Sequence, residues 1–330
     1  MAKYKDIGGT TVGFRSGAEE YTYPSGFEGS IYYNSSNGQF EFVGLGTGTW
    51  SSGGNLNTKR YAAGASGTQT AGAIFGGDAD GGSPRYGLHE QYDGSSWTEA
   101  ADLNQEGGYA GGTGTQTAAL KFGGYSNARH ANAETWNGSS WTEVGDLNTA
   151  RFGHASVGHT STSAFAVGGS SAASGTAAVV EQWDGSSWTE IADINNGRAY
   201  FGGSGLTTAG LVFGGNPENG YTESWNGSSW TEVGDLNTAR DNLGGAGADN
   251  TSALAIGGYN GTANLAINES WNGSSWTETV DLSTGVRQAG QSGIATAALS
   301  FAGVNPSAAR VGVSEEFNVP GTTTVSFTVS

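Results

Sequence analysis

The chain has 330 residues, enough for one large repeat domain or two ordinary ones. Its 59 glycines with only 5 prolines fit neither collagen nor a proline-rich linker, and its 10 Trp, 13 Tyr and 13 Phe exclude a disordered polymer. A net charge of −17 speaks against nucleic acid and anionic lipid as partners, and the absence of cysteine excludes disulfides and thiolate metal sites.

Taken in chain order, the opening MAKYKDIGGT lacks the apolar core of a signal peptide, and no later stretch reaches the length of a membrane span. Synthesis in a cytoplasm, without membrane insertion, is therefore expected. Residues 1–29 carry no repeat and are expected to form an N-terminal arm. From residue 30 to residue 330 the chain reads as one domain organised by self-similarity. The phrase GSSWTE begins at Gly94, Gly138, Gly185, Gly227 and Gly273. Its tryptophans, Trp97, Trp141, Trp188, Trp230 and Trp276, are spaced by 44, 47, 42 and 46 residues, and Trp50, 47 before the first, is a degenerate copy. Glycine pairs recur in step at Gly76-Gly77, Gly123-Gly124, Gly168-Gly169, Gly214-Gly215 and Gly257-Gly258, with a sixth copy decayed to Ala302-Gly303. The repeats fall roughly at 50–97, 98–141, 142–188, 189–230, 231–276 and 277–330. A unit of about 45 residues used six times predicts an all-β fold, a six-bladed propeller of four-stranded antiparallel blades.

Four strands are predicted in each unit. The first is a run of small residues, as in YAAGAS, GYAGGTG, YFGGSG and NLGGAG, which suits a crowded central axis. The second alternates with period two. Leu120/Phe122, Phe165/Val167, Leu211/Phe213, Leu254/Ile256 and Leu299/Phe301 face one side, and Lys121, Ala166, Val212, Ala255 and Ser300 face the other. It ends at the glycine pair, whose dihedrals are closed to other residues. The third strand places an aromatic two residues after a glutamate, as in Glu134/Trp136. An Asn-Gly or Asp-Gly turn then leads into the tryptophan of the fourth. Two segments compete to complete the last blade and so close the ring: the stretch 30–50, with Trp50, and the alternating tail 318–330. Trp50 is preferred because the final repeat lacks its own tryptophan. Repeat two is irregular, with Gln105-Glu106 where the others carry Arg151, Arg198 or Arg240.

A glycine pair closing one strand, an acidic–aromatic strand and a spaced tryptophan together resemble the kelch repeat of β-propeller proteins, over roughly residues 50–317. The GSSWTE and DLNTAR phrases are similar to those of kelch-like virion and tail-fibre proteins of marine bacteriophages. The segment SIYYNSSNGQFEFVG is like short hairpins at the attachment ends of such fibres. The resemblance implies a non-enzymatic structural or binding protein of the virion, made in the host cytoplasm. Its partners would be other virion subunits, or a glycan or protein of the host surface, with the oligomeric state left open. The alternatives are a cellular protein–protein interaction module built on the same propeller and, behind it, a carbohydrate-active enzyme.

No catalytic residue, metal ligand or cofactor is assigned. Glu90, Glu134, Glu181, Glu223, Glu269 and Glu315 recur once per unit. They are expected to pair with the arginine of the LNTAR turn or to cap backbone donors, as scaffold. The paired tryptophans are expected in the core. His154 and His159 are an odd number of residues apart, so a regular strand points them oppositely and disfavours a zinc site. DGSSW departs from the Asp-box of sialidases, which separates Asp from Gly, and the copper centre of the galactose oxidase propeller requires a cysteine. Variation collects instead in the loops between second and third strands, 78–88, 125–133, 170–180, 216–222, 259–268 and 304–314, on the face opposite the short turns. Arg85, Tyr86, Tyr125, Arg129, Asn216, Tyr221 and Tyr259 in these loops are the candidate binding residues. Tyrosine beside Asn or Arg suits both sugar stacking and adaptable protein contacts.

Overall fold

A computed structural model describes residues 30–34, 39–44, 48–79, 85–171, 175–319 and 323–327. The arm 1–29 lies outside them. The described chain is all β, and its strands belong to two units. The larger, Thr49–Asn318, is a six-bladed propeller with four antiparallel strands to a blade. In blade one the order is Gly64–Gly67, Gly72–Phe75, His89–Tyr92 and Trp97–Ala100. Blades two to five repeat that meander. The smaller unit is a three-stranded sheet in which Gln39–Gly44 pairs with Ser30–Asn34 on one side and Thr323–Phe327 on the other.

Small residues form the innermost strands because neighbouring blades converge there. A Cβ on Gly112 would stand 2.5 Å from the Ala65 carbonyl of the preceding blade, and one on Gly245 would stand 2.6 Å from that of Gly203. The second strand is covered on both faces. Ala119–Phe122 is buried at every position, which places Lys121 in the interior along with Leu120 and Phe122. The predicted alternation therefore does not separate core from solvent here. It separates two cores, one on each side of the blade.

The recurrent tryptophans fill the space between blades. Cross-strand pairs stack within each blade, with Trp136 and Trp141 5.6 Å apart and Trp183 and Trp188 5.4 Å apart. The fourth-strand tryptophan also meets the second-strand phenylalanine of the blade before it, as Trp141 meets Phe75 at 5.0 Å and Trp188 meets Phe122 at 4.9 Å. The hairpin between these strands is capped by its Asp or Asn. Asp93 Oδ1 accepts from the backbone of Ser95 and Ser96, both at 2.8 Å, and these bonds hold its carboxyl down at about 2.

Blade six is closed by the stretch before the first repeat. Thr49–Ser52 pairs with Ser314–Asn318, setting Trp50 opposite Phe317 with ring centroids 5.1 Å apart. The Trp50 indole N–H donates to the Val280 carbonyl of blade five at 3.0 Å. The C-terminal tail pairs elsewhere, with Gln39–Gly44. Trp50→Ala is expected to cost about 2 kcal/mol in urea unfolding, below the ~3–5 kcal/mol of a fully buried tryptophan because this ring is part exposed. A loss under about 0.5 kcal/mol would show that this strand does not close the ring.

Each blade also carries a buried carboxyl at one position of its third strand. The segment entering a blade wraps that carboxyl: in blade five, Asn237 N and Nδ2 donate to Glu269 at 2.7 and 2.8 Å, and Thr238 N donates at 3.2 Å. A fully buried arginine completes the shell in four blades, through the pairs Arg60–Glu90, Arg151–Glu181, Arg198–Glu223 and Arg240–Glu269. In blade two Gly107 stands where the arginine would be, and Lys121 faces Glu134 from the adjacent strand. Burial pulls the Lys121 ammonium down to about 8, and the field of Glu134 opposes the shift. In these five blades the glutamate is scaffold, as expected from its repetition.

Candidate functional site

The chain turns sharply just before each inner strand. Ala62, Tyr109, Gly153, Tyr200, Asn242 and Gln288 stand at equivalent positions there, all with φ between 51° and 62°. Each N–H donates to the carbonyl of the preceding member, and Ala62 closes the circle onto Gln288, with distances of 2.5–3.0 Å. A ring of six backbone hydrogen bonds thus surrounds the propeller axis. Left-handed backbone is costly for a residue with a side chain, at about 1–3 kcal/mol each. The ring imposes it on five such residues and so fixes where their side chains project.

Those side chains share no symmetry. On one side Tyr109 packs edge-on to Tyr61, Phe152 and Tyr200, with centroids 6.2, 5.9 and 5.7 Å away. On the other, Gln288 Nε2 donates to Tyr109 Oη at 3.1 Å and to Asn242 Oδ1 at 3.0 Å. Asn242 Nδ2 in turn donates to Asp241 Oδ1 at 2.8 Å, and Asn216 Nδ2 to Asp241 Oδ2 at 3.2 Å. Burial pushes the Asp241 carboxyl upward against these bonds. The ring encloses a recess of about 90 Å³, with His154 in its wall. Burial and the nearby Arg151 and Lys121 hold that imidazole down at about 3, so it is neutral.

The loops between second and third strands come down onto this ring. Their first residues pair with the turning segments, as Tyr125 does with Gly108 and Tyr259 with Asp241, and Arg151–Phe152 forms a short ladder with Ser170–Ser171. Arginines then stack over the aromatic rings. Arg85 lies 4.6 Å above Tyr125, Arg129 5.5 Å above Phe152, Arg287 4.8 Å above Tyr259 and Arg310 4.6 Å above Tyr61. Arg85 also donates to the Tyr125 carbonyl at 2.7 Å and sits 3.2 Å from Asp78. Of the ten lysines and arginines among the described residues, five are buried and four of the remaining five lie here. In a chain of net charge −17, that distribution gathers the accessible cations of the described residues around the ring.

Of the loop residues singled out from sequence, Arg85, Tyr125, Arg129, Asn216 and Tyr259 converge on the ring. Tyr86 and Tyr221 do not share its aromatic contacts: Tyr86 pairs its backbone with Gly77 and Gly107, and Tyr221 stands 40% exposed just ahead of blade four's third strand. The sequence reading missed Tyr61, Tyr109, Phe152, Tyr200, Asp241, Asn242 and Gln288. They occupy the two positions after the arginine of the LNTAR turn or its equivalent, where otherwise similar repeats read YA, GY, FG, AY, DN and RQ. Side-chain variety inside a constant frame was the available signal.

No family model matches the chain, and no curated protein matches it. Among solved structures, that of YjhT is similar with a TM-score of 0.67 and 13% identity, covering 82% of this chain and 99% of that chain. The likeness establishes the propeller fold.

Proposed function

We propose that this protein is a non-enzymatic binding protein, a kelch-type propeller of a bacteriophage virion or tail, and that the axial ring is where it holds a host-surface glycan. The observation that carries the reading is the asymmetry of the ring. Six near-identical backbone positions present an aromatic wall on one side and a chain of amides and a carboxyl on the other. Sugars have apolar C–H faces that stack on aromatic rings and hydroxyls that exchange hydrogen bonds with amides. The virion part of the reading rests on the GSSWTE and DLNTAR phrases and on the Ser30–Gly44 segment, with the arm 1–29 as the anchor to other virion subunits. Both ends of the propeller leave from blade six, which leaves the other five blades free of chain exits.

Two measurements test the two parts. Immunogold labelling of density-purified particles is expected to place the protein at the tail or capsid surface; absence from particles moves the reading to a cellular interaction module. A glycan array probed with the purified chain is expected to show saturable binding to a restricted set of saccharides. A blank array overturns the glycan assignment.

A further inference from the structure

Blade six departs from the other five in the interior. Its glutamate, Glu315, is buried like its counterparts, at 8% exposure. The arginine position, however, is Val286, whose N–H and carbonyl make the same backbone bonds, to Leu265 O and from Gly258 N, that Arg240 makes one blade earlier to Asn219 O and from Gly215 N. The lysine position of blade two is Ser300, directly opposite Glu315 in register as Lys121 is opposite Glu134. Among the described residues Glu315 therefore receives only Ser283 N at 3.0 Å and Ser283 Oγ at 2.9 Å, and no cation forms an ion pair with it there.

Where the guanidinium lies in the four blades that carry the buried arginine, blade six has a cavity of about 150 Å³. Its wall repeats the guanidinium's partners one by one. In blades three and five the arginine donates to the first residue of the glycine pair (Gly168 O at 3.2 Å, Gly257 O at 2.9 Å), and the blade-six counterpart is Ala302. Arg151 donates to Val179 O at 2.8 Å, and the counterpart is Val313. Arg240 donates to Thr238 O at 2.8 Å and Ala255 O at 3.4 Å, and the counterparts are Thr284 and Ser300. The carboxyl at the centre is Glu315. The rim reaches solvent at Val313, which is 45% exposed.

We infer that this cavity is a binding site for a guanidinium group supplied from outside the chain, held by Glu315 and the carbonyl acceptors that serve an internal arginine elsewhere in the ring. A planar cation with five or more donors fits a carboxyl ringed by carbonyls, whereas a buried carboxyl without a cation is disfavoured. The site lies in a single blade, apart from the axial ring, and does not depend on the function proposed for that ring.

Methylguanidinium is the probe, with neutral methylurea as its shape control, followed through the valine methyl resonances of the full chain. Saturable shifts at Val286, Val311 and Val313 are expected with methylguanidinium and none with methylurea. Glu315→Gln is expected to weaken binding at least tenfold, and Val286→Arg to abolish it by supplying the group internally. Should Val286→Arg fail to fold, Ser300→Lys borrows the arrangement of blade two and is expected to abolish binding as well. A short arginine-containing peptide separates the sources: shifts like those of methylguanidinium assign the site to a partner's arginine, and their absence assigns it to a small guanidino compound. Equal binding of methylurea, unchanged binding to Glu315→Gln, or no shifts with methylguanidinium would overturn the inference.

Discussion

Arg151→Met is expected to lower the stability of the propeller by about 3–5 kcal/mol, far more than a methionine of similar length would cost on packing grounds. Both Arg151 and Glu181 are fully buried. The guanidinium bonds the carbonyls of Thr149, Gly168 and Val179 at 3.2, 3.2 and 2.8 Å besides pairing with the carboxyl. Without it, Glu181 keeps only the donors of Asn148 N, Asn148 Nδ2 and Thr149 N, at 2.6, 2.9 and 3.2 Å, and three carbonyls lose a partner. Breaking one side of a buried pair leaves an uncompensated charge, whereas removing both sides removes the charge itself. The double variant Arg151→Met, Glu181→Gln should therefore recover a good part of the loss. Urea unfolding of the two variants measures both quantities. A single-variant loss below about 1 kcal/mol would mean that the carboxyl is hydrated or neutral in the native state, and the scaffold role of these pairs would fall.

The reason these pairs could be anticipated, and the axial ring could not, lies in what repetition conveys. Glu181 and Arg151 recur in register with the glycine pairs and tryptophans, so their partnership could be read from the repeats alone. The turn chemistry of Asp93 and its equivalents is equally local, fixed by contacts two and three residues along. Ring closure was harder, because Trp50 supplies the tryptophan the last repeat lacks while the tail alternates and follows that repeat directly. It is decided by the stacking of Trp50 on Phe317, a contact between opposite ends of the domain. Lys121 shows the opposite failure. Its place in a period-two strand set it on the side opposite Leu120 and Phe122, and both sides of this second strand are buried. The axial ring depends on contacts such as Gln288 to Tyr109, 179 residues apart, between positions that align in the repeats yet differ in side chain. No local pattern reports such a meeting. The tight turn at φ near 55° does not announce itself in sequence either, since Tyr, Ala, Asn, Gln and Gly all occupy it.

Tyr109→Gly is expected to reduce saccharide binding at the ring at least thirtyfold, the effect of losing a central aromatic contact worth about 2 kcal/mol or more. The same change should leave folding stability within about 1 kcal/mol of the parent. The backbone at this position accepts glycine, because Gly153 holds the equivalent place in the next blade with φ of 62° against 57° for Tyr109. Relief of the left-handed strain then offsets the loss of the edge-on contacts with Tyr61, Phe152 and Tyr200, each worth about 0.5–1.5 kcal/mol. Weaker binding in an equally stable protein is the signature of a residue held in a costly conformation for the sake of a ligand. Tyr221→Ala, which removes an exposed tyrosine outside the ring, should change neither quantity. If Tyr109→Gly binds as the parent does while Tyr221→Ala does not, the saccharide sits on the outer loops and the ring is only the keystone of the propeller. If instead Tyr109→Gly loses several kcal/mol of stability, the aromatic group is structural, and the asymmetry of the ring needs another explanation than binding.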